Sequence, residues 1–328
     1  MVYSSVVNVG WIVHLVTCFY IIRPARQTLV RIILTCMPCI VLTYIGARSL
    51  PPHHIFSVFA ITVYWMVSIR LVHFTVLSPD KLLTFPSFAL KCLWILFPII
   101  PCQPVEHQWS ITFYLISGVV KFVLNCWLHR WLLICEANDN YIRVIIYFLS
   151  ILTFSYVIDI QTVLVRIITR DKYTLQWLNN FPFLSQSIRE FWGRRYNQLI
   201  GTILKESVFR PLSPYISSRL VAALITFIIS GLFHVHIAVV VFGDVSSVLP
   251  TFACFFLNGI ACSAEAHLPI KLPPLFGWLV THSVLLMTAP MCLGPFARDK
   301  AVFFGVDALT FYGNQWIPPL PMQKICPT

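Results

Sequence analysis

Eight long apolar runs dominate this chain, and each has about the 20 residues that an α-helix needs to cross a lipid bilayer. They lie at about 5–22, 29–46, 55–77, 111–133, 141–164, 219–242, 247–265 and 275–295. A ninth run at 87–101 is short and ends in two prolines, which favours a re-entrant or interfacial segment. The pattern predicts an all-α polytopic integral membrane protein with about 8–9 transmembrane helices.

The composition indicates a protein whose surface is largely in contact with lipid. Of the 328 residues, 58% are hydrophobic and only 11% are charged, against roughly 25% charged in soluble proteins. This excludes a soluble enzyme, a secreted disulfide scaffold, a disordered chain and a nucleic-acid-binding domain as first interpretations. The net charge of +11 fits the positive-inside rule of membrane proteins, so no nucleic-acid partner is expected.

One segment, at about 165–218, is too polar to cross lipid yet rich in aromatic residues. Residues 166–219 carry a net charge of +6, which is more than half of the chain's total of +11. Excess Lys and Arg mark the cytosolic side of a membrane protein. We therefore expect a long amphipathic, basic cytosolic loop.

Within this loop, Ser187 and Glu190 have the spacing of a capping box, which predicts that a helix starts there. On that helix Gly193, Asn197 and Gly201 would recur every four residues along one stripe. Such a stripe is either a groove with one polar side chain, open to a ligand, or a surface for close helix–helix contact. The residues leave these two interpretations equally open.

Each ionisable group inside a span raises the free energy of membrane insertion by about 2.5–3.5 kcal/mol, so each is expected to have a structural or functional role. The candidates other than histidine are Arg70, Lys121, Asp159 and Glu265. Pairing between bases and carboxylates is the favoured interpretation, and Asp159 is expected to pair with such a base. In a polytopic transporter, the alternative class, these groups would form an ion or proton path. A transporter typically shows two related halves with broken helices, and the sequence shows no such internal symmetry.

His234 lies in a 24-residue apolar helix, with Ser230, Gly231 and Ala238 one turn away. Its imidazole therefore faces small neighbours. His236 is about 200° around the helix, so the two rings do not converge as metal ligands, and no metal is expected. The imidazole is suited to act as a base, or it is a structural histidine hydrogen-bonded within a helical bundle.

Four sequence features, taken in order, resemble the motifs of a known family. Phe191-Trp-Gly-Arg-Arg-Tyr-Asn197 is followed by Arg210-Pro211, by Ser230-Gly-Leu-Phe-His234, and by an apolar helix from Phe255 to Glu265. This order is similar to the wax synthase branch of the membrane-bound O-acyltransferase superfamily. Two departures are Tyr196, where that branch usually has Trp, and Asn258, where His is common.

The resemblance implies that Asn197 and His234 are the paired active-site residues, with His234 as general base. It implies direct acyl transfer from acyl-CoA to the hydroxyl of a long-chain fatty alcohol, without a cofactor, a metal or an acyl-cysteine. The same chemistry on a sterol, a diacylglycerol or a secondary-metabolite hydroxyl, including acetyl transfer, is the alternative. The oligomeric state is left open.

The resemblance also implies that the basic loop binds coenzyme A, since coenzyme A carries several negatively charged phosphates. The residues expected to bind acyl-CoA are Trp192, Arg194, Arg195, Tyr196, Lys205 and Arg210. Contact of these bases with anionic lipid headgroups is the alternative. We expect one membrane-embedded acyltransferase domain over 1–328, with the motifs within about 141–295, in the endoplasmic reticulum membrane.

Overall fold

A computed structural model describes residues 2–77, 83–102, 109–134, 141–216, 218–267 and 272–298. It is dominated by helices, and seven of those described are long and apolar enough to cross a membrane. An eighth apolar helix, Val6–Ile22, is shorter. The all-α polytopic membrane architecture expected from the sequence is confirmed.

Helices make up most of the described elements, with two short strands among them. The long helices are α1 (Val2–Thr17), α2 (Thr28–Arg48), α3 (Ile55–Val72), α5 (Ile111–Ile134), α6 (Tyr141–Thr153), α7 (Tyr156–Ile168), α11 (Arg219–Phe242), α12 (Val248–His267) and α13 (Pro274–Arg298). The short elements are α4 (Phe85–Cys92), β1 (Ile99–Pro101), β2 (Tyr173–Leu175), α8 (Ile188–Glu190), α9 (Gln198–Leu204) and α10 (Arg210–Leu212). Wider π-helical turns extend several of them, at Cys18–Ile22, His73–Leu77, Phe191–Arg195 and Lys205–Phe209.

The short ninth run does not form a spanning helix. Its first part belongs to α4, which ends at Cys92, and its last part is β1. β1 pairs antiparallel with β2, with Ile100 opposite Thr174. The run is therefore divided between two kinds of structure, and its depth in the membrane stays a prediction.

The run predicted at 141–164 is one apolar segment but two helices, α6 and α7. Asn125 on α5 donates from Nδ2 to the carbonyl of Ser150 and to Thr153 Oγ1, both at 2.9 Å. The Ser155 hydroxyl donates to the carbonyl of Leu152 at 2.7 Å. Side chains thus occupy carbonyls near the junction, where the regular helical pattern is interrupted.

The described residues form two compact units. Unit 1 takes those within 1–97 and 199–269, and unit 2 takes those within 98–198 and 270–328. Each unit combines two separate stretches of the chain. His234 belongs to unit 1 and Asn197 to unit 2.

In unit 1, α11 packs most extensively on α12, and it also contacts α3. Trp65 on α3 donates from Nε1 to Nδ1 of His236 on α11 at 2.9 Å. Arg70, near the C-terminal end of α3, pairs with Glu206 Oε2 at 2.9 Å and donates to Ser207 Oγ at 3.2 Å. The expected pairing of Arg70 with a carboxylate is confirmed, and the carboxylate comes from the π-helical turn Lys205–Phe209 after α9.

In unit 2, α5 packs on α7 and α6, while α13 packs on α6. Lys121 on α5 pairs with Asp159 on α7 at 2.7 Å, so the predicted partnership of Asp159 with a base is confirmed. Arg143 on α6 is almost completely buried and donates to the carbonyls of Leu132 and Ala297, at 2.8 and 2.6 Å. One guanidinium thus ties three helices of unit 2 together.

Candidate active site

His234 lies in the second half of α11, and its helix begins and ends with clear capping signals. The Ser218 side chain accepts from the backbone N–H of Leu220 at 3.3 Å. At the other end Gly243 takes a left-handed φ of 63° and its N–H reaches the carbonyl of Val239. The helix therefore runs unbroken past His234, as the sequence predicts.

The His234 ring has a defined tautomer. Its Nδ1 lies 2.8 Å from the carbonyl oxygen of Ser230. A carbonyl can only accept, so Nδ1 carries the proton and Nε2 carries the lone pair. The partly buried ring stacks on Phe255 of α12, with centroids 4.0 Å apart. The arrangement provides an oriented neutral imidazole whose Nε2 can accept a proton.

His236 has the opposite tautomer, because its Nδ1 accepts from Trp65. Its role is to join α11 to α3. The two histidines of the pair therefore have different partners within unit 1, in agreement with their angular separation on the helix.

Bare glycine positions let α11 and α12 approach each other beside His234. A Cβ at Gly259 would lie 2.9 Å from Phe227 Cβ, and one at Gly231 would lie 3.2 Å from Phe252 Cδ2. The neighbouring Asn258, the second departure from the family pattern, is fully buried and donates to the carbonyl of Cys254. Its amide therefore binds its own helix.

The predicted single helix from Ser187 through Gly201 is wrong. The Ser187 hydroxyl does accept from Glu190 N–H at 3.0 Å, which confirms the helix start. The Glu190 carboxylate, however, accepts from Gln186 N–H and not from Ser187. After α8 and one π-helical turn, Tyr196 is extended (φ −100°, ψ 136°) and the helical direction is lost.

Asn197 stands at this break with a φ of 41°, in the left-handed region. Gly193, Asn197 and Gly201 are therefore not on one stripe, and a Cβ at Gly193 would meet nothing within 4 Å. Asn is among the few residues that accept left-handed backbone at small cost. A strained backbone at a polar residue is a pointer to function.

The backbone around Asn197 is hydrogen-bonded to a second segment of the chain, residues 178–180. Asn179 accepts at Oδ1 from Asn197 N–H at 3.0 Å, and Leu178 O accepts from Gln198 N–H at 2.7 Å. Asn180 N–H donates to the carbonyl of Arg195 at 2.7 Å. Sequence reasoning missed Asn179, since nothing in its local pattern distinguishes it from other loop amides.

The two arginines of the motif have different surroundings. Arg195 pairs with Glu190 at 2.6 Å and donates to Asn180 O at 3.3 Å. Burial alone would raise the pKa of the Glu190 carboxyl, but the Gln186 N–H and Arg195, with a smaller contribution from Arg194, hold that pKa below its usual range. Arg194 itself is exposed. Arg195 thus stabilises the segment through its ion pair, whereas the Arg194 side chain is accessible to a ligand.

The aromatic residues of the motif form one cluster. Tyr196 stacks on Phe191, with centroids 5.0 Å apart and planes at 11°, and it meets Trp192 edge-on at 5.4 Å. Trp192 and Tyr196, four residues apart, are therefore in direct contact. The remaining two predicted acyl-CoA contacts, Lys205 and Arg210, are exposed and belong to unit 1.

Comparison with known proteins connects these features. The model of the membrane bound O-acyl transferase family matches residues 176–257, a stretch that includes both Asn197 and His234. The chain is 26% identical to probable long-chain-alcohol O-fatty-acyltransferase 7 of Arabidopsis thaliana, over 87% of this chain and 88% of the relative. Acyl-CoA–sterol O-acyltransferase 1 of the same plant is 25% identical over 68% of each chain. A shorter stretch, 26% of this chain and 27% of the relative, is 32% identical to probable long-chain-alcohol O-fatty-acyltransferase 9.

Proposed function

Because this chain is similar to membrane-bound O-acyltransferases of the wax synthase type, we propose that it belongs to that branch and esterifies a long-chain fatty alcohol with the acyl group of acyl-CoA. The observation that carries this proposal is His234, whose Nδ1–H is fixed on the Ser230 carbonyl. That bond leaves Nε2 as the proton acceptor. The product is a wax ester and the second product is free coenzyme A.

His234 acts as the general base of a direct transfer. Nε2 takes the proton of the alcohol hydroxyl while its oxygen bonds to the thioester carbonyl carbon. The carbon–sulfur bond then breaks, and the imidazolium returns its proton to the coenzyme A thiolate. A positioned base of this kind contributes about 10²–10⁴-fold to the rate.

Asn197 is proposed to stabilise the thioester during the reaction. Its amide N–H₂ can donate to the carbonyl oxygen as negative charge develops there, and one such donor is worth about 10²–10³-fold. The left-handed backbone at φ 41° and the bond from its N–H to Asn179 give this side chain a fixed starting point. A residue placed by two independent constraints loses little freedom when substrate binds.

The exposed bases of the loop are proposed to bind the phosphates of coenzyme A. Arg194 is the strongest candidate because it is exposed, whereas Arg195 already holds Glu190. Lys205 and Arg210, both exposed, are further candidates, and Trp192 and Tyr196 offer an aromatic surface beside them in sequence. The site lies in the endoplasmic reticulum membrane with the loop facing the cytosolic acyl-CoA.

A sterol acceptor is the second candidate, because the similarity to a sterol O-acyltransferase covers 68% of this chain. The chemistry at the thioester is the same for both acceptors. The choice is therefore made by the acceptor site and not by His234 or Asn197.

The test is to express the chain in cells without neutral-lipid acyltransferases, to supply fatty alcohol and sterol, and to identify the esters. Wax esters are expected from the wild type, and a fall of at least about 10²-fold is expected for His234→Ala. His236→Gln is the matched control on the same helix, since glutamine can still accept from Trp65. Full ester synthesis by His234→Ala would overturn the assignment of the base.

A further inference from the structure

Unit 2 contains a cavity of about 280 Å³ that the assigned chemistry does not use. One end of it is polar and is formed by Ser117 and Lys121 of α5 and Asp159 of α7. Most of the other lining residues are apolar, with Phe113 and Trp177 among the aromatic ones, and Thr153, Ser155 and Asn179 add further polar groups. A charged end in a mainly apolar cavity inside a membrane protein fits a lipid with a small head.

The polar end balances one positive and one negative charge. Asp159 Oδ2 accepts from Lys121 Nζ at 2.7 Å and from Ser117 Oγ at 2.9 Å. The Lys121 and Asp159 side chains are 29% and 12% exposed, so both remain within reach of a ligand. A carboxylate head would be repelled by Asp159 and an ammonium head by Lys121. A neutral hydroxyl can donate to the carboxylate and accept from the ammonium.

The apolar part of the cavity opens to the side of the helices. Val120 and Leu124 line it and are 51% and 40% exposed, on spanning helix α5. The volume of about 280 Å³ is just below the roughly 300–1,000 Å³ of ligand pockets. A cavity of this size has room for the head and the first part of a chain, with the remaining tail in lipid.

One wall of the cavity is bonded directly to the backbone of the proposed catalytic asparagine. Asn179 lines the cavity, and its Oδ1 accepts from Asn197 N–H at 3.0 Å. Leu178, also in the wall, accepts from Gln198 N–H. A ligand in the cavity thus contacts the segment that fixes the conformation of Asn197.

We propose that this cavity binds the hydroxyl end of a neutral long-chain alcohol, with Lys121 and Asp159 as the residues that recognise it. That this alcohol is the acyl acceptor rests on the proposed function. The binding itself does not, because it depends only on the charge balance and the apolar walls.

The experiment is photolabelling of the purified full chain in nanodiscs, using a long-chain primary alcohol with a diazirine near the hydroxyl. Mass spectrometry is expected to place the label within 113–124 and 177–183. Unlabelled fatty alcohol should compete, and the fatty acid of equal length should not. Label confined to other parts of the chain would overturn the proposal.

The variant Asp159→Asn tests the charge balance. Removing the carboxylate leaves Lys121 as an unpaired cation, so alcohol labelling should fall about tenfold and the fatty acid should become a competitor. Asp171→Asn is the matched control, since Asp171 pairs with Arg166 at 2.6 Å in the same unit but does not line the cavity. A specificity that is unchanged in Asp159→Asn would contradict the proposal.

A second variant keeps the test independent of folding defects at the ion pair. Val120→Trp should fill the mouth and reduce labelling while Lys121 and Asp159 stay in place. Unreduced labelling in this variant would also contradict the site. Labelling requires no turnover, so a chain that labels in the cavity but makes no ester supports the binding site and contradicts the proposed function. A chain that makes wax ester without cavity label does the reverse.

Discussion

His234 and Asn197 are held by two different kinds of backbone. His234 lies on the unbroken helix α11, which packs on α12 through Gly231 and Gly259. Asn197 stands between short helical pieces, with a left-handed φ of 41°. The first residue is oriented by its own helix, and the second by hydrogen bonds to a distant stretch of chain.

The two residues are therefore kept in position in different ways. The helix around His234 satisfies its backbone locally, and the ring is fixed by a carbonyl only four residues away. The segment around Asn197 depends on Asn179, on Leu178 and on the Arg195–Glu190 pair. We therefore expect the two regions to respond differently to small changes of backbone freedom.

After His234→Ala, replacing Asn197 should have the greatest effect. Asn197→Gly should keep the left-handed backbone and lose the amide, so ester synthesis should fall about 10²–10³-fold with little change in melting temperature. Asn197→Ala should lose the same activity and also about 1–2 kcal/mol of stability. Activity is measured as ester formation and stability by thermal unfolding in detergent. Equal stability of the two variants would contradict the conformational role of this position.

The next effect tests the helix pair that carries His234. In Gly259→Ala the new Cβ would lie 2.9 Å from Phe227 Cβ, so α11 and α12 must separate, at a cost of about 1–3 kcal/mol. Gly193→Ala is the matched control, because its Cβ would meet nothing within 4 Å. Thermal unfolding measures both. A Gly259→Ala protein as stable as Gly193→Ala would show that close approach of these helices is not required.

The smallest effect distinguishes the two arginines. Arg194→Ala should raise the apparent KM for acyl-CoA about tenfold, leaving the KM for alcohol and the melting temperature unchanged. Arg195→Ala should lower the melting temperature, because Glu190 and Asn180 lose their partner. The measurement is steady-state kinetics with each substrate varied in turn. Equal effects of Arg194→Ala on both substrates would contradict phosphate binding.

Much of the fold follows from local patterns. The long spans and the pairing of Asp159 with a base could be predicted, because apolar length and buried charge leave few alternatives. That the base is Lys121 was decided by the structure. The helix from Ser187 through Gly201 could not be predicted correctly. Its capping signal was real, but its end at Tyr196 and Asn197 depends on bonds to Leu178 and Asn179.

Span length, composition and motif order are properties of the chain alone, and they are enough to predict the polytopic membrane architecture and the resemblance to the wax synthase branch. Tertiary structure decided the conformation of Asn197, the partners of Arg70 and Arg195, and the charge-balanced cavity at Lys121 and Asp159. The physical reason is range. A helical period is set by residues four apart, whereas these contacts join residues from 5 to 137 positions apart.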